Sequence, residues 1–111
     1  MRLARMRRIE LERRVRLARQ SPFDPPETWQ RERTLWGDVI PLSVDGRAAY
    51  QQVGHSSATH VVRLRGRHEI ALGEHRFVWR GRLLVPVEPG KDTDGTGRWT
   101  TVTVEDAGPV A

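Results

Sequence analysis

The stretch from Thr34 to Arg65 limits the fold more than any other part of the chain. Two segments within it alternate with a period of two. In the first, Leu35, Val39 and Pro41 fall on one side and Trp36, Asp38, Ile40 and Leu42 on the other. In the second, His60, Val62 and Leu64 oppose Thr59, Val61, Arg63 and Arg65. Such alternation marks strands with one buried face. Between them lies a polar excursion, residues 43–57, too long for a tight hairpin turn and carrying a helical segment at 46–53 (GRAAYQQV). Long excursions from a small scaffold are where binding commonly sits.

The remaining chain carries the same signal. Ile9, Leu11, Val15 and Leu17 occupy odd positions, which predicts a first strand over 12–19. Leu, Arg, Met, Ala and Glu are good helix formers, so a helix over 1–19 stays open. Three prolines in residues 21–28 (SPFDPPET) predict a surface loop. A second strand runs to Leu42, with Gly37 announcing a bulge or a close backbone approach. Further strands are predicted over 58–64, 75–80, 82–87 and 98–105, with Arg80-Gly81 as a two-residue hairpin turn. Pro86 puts its strand at an edge or a bulge. Residues 88–97 read as a mobile polar loop and 106–111 as a frayed tail.

The fold class is therefore mainly β: a small antiparallel barrel or sandwich of about six strands, with one short helix and a long inter-strand loop. Trp36, Phe77, Trp79 and Trp99 are the large side chains available to fill it. Their competing use is an aromatic platform for stacking bases. The domain organisation is a basic arm over 1–10, a β domain over 11–105 carrying the 43–57 loop, and a flexible tail over 106–111.

Composition narrows the function classes. The 111 residues make one domain with a modest core. No run approaches the ~18 apolar residues of a membrane span. The start is basic without the apolar stretch of a signal peptide, so export is not expected. The absence of cysteine excludes disulfides, thiol nucleophiles and zinc–thiolate sites. The net charge of +5 is unevenly placed. Residues 1–19 hold eight arginines against Glu10 and Glu12, leaving the rest of the chain near neutral. This is a neutral domain with a basic arm, suited to a partner protein, to phosphates or to water.

Catalytic patterns are lacking. His55, His60, His68 and His75 include no helical i, i+4 metal pair, although His60 and His75 lie on strands that can meet. Asp92, Asp94 and Gly95 resemble the start of a calcium loop, but the closing glutamate position holds Thr103, so a turn is the better account. No nucleophile elbow or phosphate-cradling loop is present. Neither an enzyme nor a cofactor is expected.

The ordered series LERRVRLAR (11–19), ETWQ (27–30), LWGDVIPLS (35–43), GRAAYQQV (46–53), THVVRLRG (59–66) and HRFVWRGRLLVPV (75–87) resembles the bacteriophage head–tail joining proteins, also called head-closure or stopper proteins. The resemblance spans roughly residues 11–105. It implies a small β-barrel assembling as a homo-oligomeric ring of six or twelve copies in the neck of a phage or gene transfer agent, built in the bacterial cytoplasm. Portal and adaptor proteins lie above such a ring and a tail terminator or tail tube below, with packaged double-stranded DNA held non-specifically in the channel and no membrane involved. Residues 43–57 would then be the gate, with Asp45, Arg47, Gln51, Gln52 and His55 as lumen or neighbour contacts. Arg2, Arg5, Arg7 and Arg8 would reach a partner. Two alternatives stand beside it: a basic-armed nucleic-acid-binding barrel, and another neck ring such as an adaptor or tail terminator.

Overall fold

Alternation becomes strand throughout the computed structural model, which describes residues 6–16, 21–23, 27–52 and 57–110. Its strands are β1 (Arg7–Arg16), β2 (Glu27–Pro41), β3 (His60–Arg65), β4 (His75–Trp79), β5 (Arg82–Pro86), β6 (Lys91–Asp92) and β7 (Trp99–Pro109). One helix, α1 (Val44–Gln52), sits between β2 and β3. All seven strands form one antiparallel sheet in the order β3-β2-β1-β4-β5-β7-β6. β3 also pairs with β7, so six strands close a circuit and none of those six is left as a free outer strand. β7 makes this possible by its length: β3 lies along one edge, and β5 and β6 share the other.

The closed sheet turns one side-chain parity inward. Ile9 and Leu11 of β1, Leu35 and Val39 of β2, Val62 and Leu64 of β3, Phe77 of β4, Leu84 of β5 and Val102 and Val104 of β7 form the core, with Ile70 added from the β3–β4 connection. Burial of such side chains stabilises by about 1.5–3 kcal/mol each. Gly37 belongs to the inward set for a different reason. A Cβ there would meet the Arg63 carbonyl oxygen at 2.5 Å and Ile9 Cδ1 at 3.1 Å, so the mid-strand glycine marks a close backbone approach. The bulge in β2 lies elsewhere, at Glu32, which β1 skips between Leu11↔Arg33 and Glu12↔Arg31.

Several boundaries differ from expectation. β1 starts at Arg7, because Ile9 pairs with Leu35 and Leu11 with Phe77 inside the circuit; residues 7–16 are strand, not helix. Arg7 and Arg8 therefore belong to the sheet. The tail does not fray at 106: Asp106 and Gly108 pair with Leu84 and Leu83, and β7 runs on to Pro109. The 88–97 loop is partly strand, with Lys91 and Asp92 opposite Thr101 and Thr100. Within it Asp94 Oδ1 accepts from the Thr96 N–H and hydroxyl, and Asp92 Oδ2 from the Gly97 N–H, as a turn requires. β5 is an inner strand; Pro86 is accommodated because β4 pairs only with Arg82–Leu84. Finally, the tryptophans do not fill the core. Phe77 and aliphatic side chains occupy the narrow interior, Trp79 packs against its border, and Trp36 is 51% exposed.

Arg80 and Gly81 join β4 to β5 with φ of 51° and 72°, the two left-handed residues of a type I′ hairpin turn. The β1–β2 hairpin runs past the circuit: β4 pairs only with Glu10–Arg13, Arg14 N–H donates to the Glu74 carbonyl at 2.9 Å just before β4, and Val15 and Arg16 continue with their partners Thr28 and Glu27 as a two-stranded extension. This helps make the molecule long, with extents of 48 × 29 × 25 Å. Among the described residues no helix is long and apolar enough to cross a membrane.

Candidate functional site

The excursion leaves the sheet on a closed stem. Leu42 N–H donates to the Thr59 carbonyl at 3.0 Å, directly beyond the Pro41↔His60 pair. Ser43 then caps α1: its Oγ accepts from Gly46 N–H at 3.0 Å and its carbonyl from Arg47 N–H at 2.9 Å. Asp45 in the first turn complements the helix dipole. None of the α1 residues is buried. Its tie to the sheet is Tyr50, whose hydroxyl lies 2.9 Å from Thr103 Oγ1. Thr103 donates to Glu88 Oε1 at 2.8 Å, so Tyr50 is the donor to Thr103. Lys91 Nζ closes the chain 3.4 Å from Glu88 Oε2.

Four of the predicted contact residues, Asp45, Arg47, Gln51 and Gln52, are thus gathered on one short exposed helix. Asp45 and Gln52 share one side by helical spacing, and Arg47 and Gln51 another. His55 lies outside the described residues, as do Arg2 and Arg5. Arg7 and Arg8 lie in β1 opposite Gly37 and Trp36.

At the root of the excursion, Thr59 Oγ1 accepts from Asp106 N–H at 2.8 Å and contacts His60 Nδ1 at 2.8 Å. The hydroxyl oxygen has a second lone pair, so either Thr59 or the Nδ1–H tautomer of His60 can donate in this pair. Burial lowers the pKa of His60 below its ordinary value; nearby Asp106 works against this, and Arg47 and Arg82 work with it. Asp106 is held below the usual carboxylate range by its bonds from Arg82 Nε at 2.7 Å and Gly108 N–H at 3.0 Å. His75 is elsewhere and has other partners. Its Nδ1 accepts from Ala71 N–H at 3.1 Å, and Nε2 lies 3.6 Å from Glu32. The two histidines are not brought together. Among the described residues no group of three or more histidines and carboxylates is placed to hold a metal.

The outer face of the sheet is built of arginine–tryptophan and arginine–carboxylate pairs. Each of the four tryptophans carries a guanidinium over its ring: Arg76 on Trp29 at 4.4 Å, Arg8 on Trp36 at 5.6 Å, Arg80 on Trp79 at 4.8 Å and Arg63 on Trp99 at 4.8 Å. These contacts occupy one face of each ring. Arg76 Nε also donates to Glu12 Oε1 at 2.6 Å, and Arg14 lies 3.6 Å from both Glu27 and Glu74.

Sequence reasoning missed the Tyr50–Thr103–Glu88 connection and the arginine caps. The caps had a signal, since Trp36 and Trp99 have the parity opposite to Leu35 and Val102. The hydroxyl chain had none, because its members are joined only by the closing of β7.

A closed antiparallel sheet with a helix-bearing excursion, a hairpin extension and its charged chemistry turned outward is the form of a small structural module. The chain belongs to the phage head completion protein family, whose model matches residues 1–107. Membership assigns it a general role in closing the phage head, as a virion component that works with other head and tail proteins. In fold it is similar to the solution structure of protein SF1141 from Shigella flexneri 2a, with a TM-score of 0.62 and 20% identity over 96% of this chain and 97% of that one. A search of the curated proteins finds no match.

Proposed function

We propose that this chain is the head-closure, or stopper, component of a phage or gene transfer agent particle: a ring joining portal or adaptor to tail and retaining packaged DNA. The family match over residues 1–107 carries the reading. The geometry of the excursion supports it, since α1 stands on a closed stem, buries none of its residues and is tied to the sheet through Tyr50 and Thr103. Such an element can be moved without unfolding the sheet beneath it. In this reading residues 43–57 form the gate, and Asp45, Arg47, Gln51, Gln52 and His55 meet the lumen or a neighbouring copy. Closure is steric, with weak polar contacts multiplied by ring symmetry, because a channel that releases DNA cannot hold it tightly. The arm containing Arg2 and Arg5, with Arg7 and Arg8 at its base, reaches an adjacent ring. The protein acts without catalysis.

The test is deletion of the gene from the producing particle system, with electron microscopy and a DNA-protection assay on the heads. Full-size heads that package and then lose DNA, beside unattached finished tails, are the expected outcome. Normal particles with a defect confined to replication or gene expression would overturn the reading in favour of a nucleic-acid-binding domain. Intact heads that keep their DNA but bear no tails would move the chain to another ring of the neck.

A further inference from the structure

On the outer face of β1, β2 and β4 a cleft of roughly 370 Å³ is lined by Arg8, Glu10, Arg31, Thr34, Val78 and Arg80. Three guanidiniums face one carboxylate there. The Arg31 Nη1 to Glu10 Oε1 distance is 3.6 Å, longer than a charge-assisted hydrogen bond, so Arg31 keeps donors for a further acceptor. Arg8 and Arg80 have no carboxylate partner among the described residues. Instead their guanidiniums rest on Trp36 and Trp79. Stacking fixes the plane of a guanidinium while leaving its N–H edge free, the arrangement that suits bidentate capture of a carboxylate.

Arg80 adds an independent sign. It is the one non-glycine with positive φ among the described residues, at 51°. The first position of a type I′ turn ordinarily takes Asn, Asp or Gly, and an arginine there carries backbone strain. Strain held at a charged, solvent-facing position points to a use for that side chain.

We propose that this cleft binds an acidic protein segment, with aspartate or glutamate carboxylates held by Arg8, Arg31 and Arg80 over the floor formed by Thr34 and Val78. The surroundings favour a short carboxylate-bearing segment over a nucleic-acid duplex. A duplex needs an extended positive track. Beside the cleft Arg76 is paired with Glu12 and Arg14 with Glu27 and Glu74, and those carboxylates would oppose a phosphate backbone. The site does not depend on the stopper reading; it requires only that a neighbouring protein present acidic side chains.

The test is a nuclear magnetic resonance titration of the full chain at low salt with three probes: a capped tetra-glutamate peptide, a capped tetra-glutamine peptide and a short DNA duplex. Tetra-glutamate should saturably shift the Nε–H resonances of Arg8, Arg31 and Arg80 and the indole N–H of Trp36 and Trp79, while tetra-glutamine leaves them in place. Arg80→Asn suits the turn and so preserves the fold; it should weaken tetra-glutamate binding about tenfold, the effect of losing one charge-assisted hydrogen bond. Arg8→Gln should do the same. Absence of saturable shifts, or shifts unchanged in both variants, overturns the proposal. Tighter binding of the duplex at the same resonances, with a steep loss in salt, overturns it in favour of nucleic acid.

Discussion

Tyr50 and Thr103, separated by 53 positions in the chain, meet through a 2.9 Å hydrogen bond that ties α1 to β7. Thr103 is buried, and its own proton goes to Glu88, so the tyrosine hydroxyl completes a chain of donors that starts on the helix and ends on a carboxylate. The relationship matters because α1 has no buried residue of its own.

Tyr50→Phe removes the donor and leaves Thr103 bonded to Glu88. The expected loss in global stability is only about 0.5–1.5 kcal/mol, the net worth of one hydrogen bond. The local effect should be larger: amide exchange over Arg47–Gln52 accelerates while exchange in β3 and β7 stays slow. Uniform acceleration across the sheet would show that α1 is part of the cooperative core.

Gly37→Ala tests the close approach of β2 and β3. The new Cβ would sit 2.5 Å from a backbone oxygen that cannot rotate away, with Leu64 Cδ2 at 3.0 Å on another side. Strand separation or core shift is the remaining relief, at about 1–3 kcal/mol. Urea denaturation should show a lower midpoint with an unchanged slope. A neutral result would mean that β2 and β3 pair more loosely than described.

Arg76 pins the β1–β2 hairpin from the side. It donates to Glu12 at 2.6 Å and lies over Trp29, and both members of the ion pair are mostly covered, at 21% and 17% exposed. Arg76→Ala should cost about 2 kcal/mol, between the charge-assisted bond and the added ring contact. Arg76→Lys should recover little, because it lacks both the Nε donor and the flat face. Trp29 fluorescence should shift in both variants; full rescue by lysine would reduce the contact to simple charge.

Stability should depend on pH through His60. Burial holds its pKa in the folded state below the ordinary 6.5, so the unfolded chain takes up the proton first. The contribution is complete above about pH 6.5 and is lost as the pH falls below it, levelling off once folded His60 is itself protonated. Asp106, held below the usual carboxylate range, loses its contribution only at more acid pH. Denaturation midpoints between pH 7.5 and 5 should therefore fall in the parent, and fall less in His60→Asn, which keeps an acceptor for Thr59. Equal slopes in the two proteins would remove His60 from the account.

The strands were legible because their burial is one-sided. Val62 and Leu64 against Val61 and Arg63 name the inward face without any tertiary information, and Arg80-Gly81 names its turn by conformation alone. What sequence could not supply was closure. Residues 106–109 look polar and irregular until β5 is placed beside them, and pairing with Arg82–Leu84 then makes them strand. The tryptophans misled for a related reason. Large apolar side chains suggest a core, yet the interior of a six-strand circuit is filled by Phe77 and aliphatic groups; Trp79 packs only against its border, and all four rings carry arginines. The candidate gate was visible as a long polar interruption, whereas its tie to Thr103 was not, since no local pattern relates a helical tyrosine to a distant threonine.

Replacement of residues 43–57 by a short Gly/Ser linker separates folding from function. The stem ends are already hydrogen-bonded, Leu42 to Thr59 at 3.0 Å, so a linker of about four residues spans the gap. Among the described residues the helix takes no buried side chain with it, and one tie to the sheet that goes with it is the Tyr50 bond, the loss of which is partly offset by the lower closure entropy of a shorter loop. The variant should keep its strand content and unfold within about 1–2 kcal/mol of the parent. Introduced into the particle system in place of the parent gene, it should give heads that join tails yet release DNA before attachment. Heads that retain DNA with the excursion removed would locate the gate elsewhere in the neck, and a failure to join tails would assign the excursion to docking.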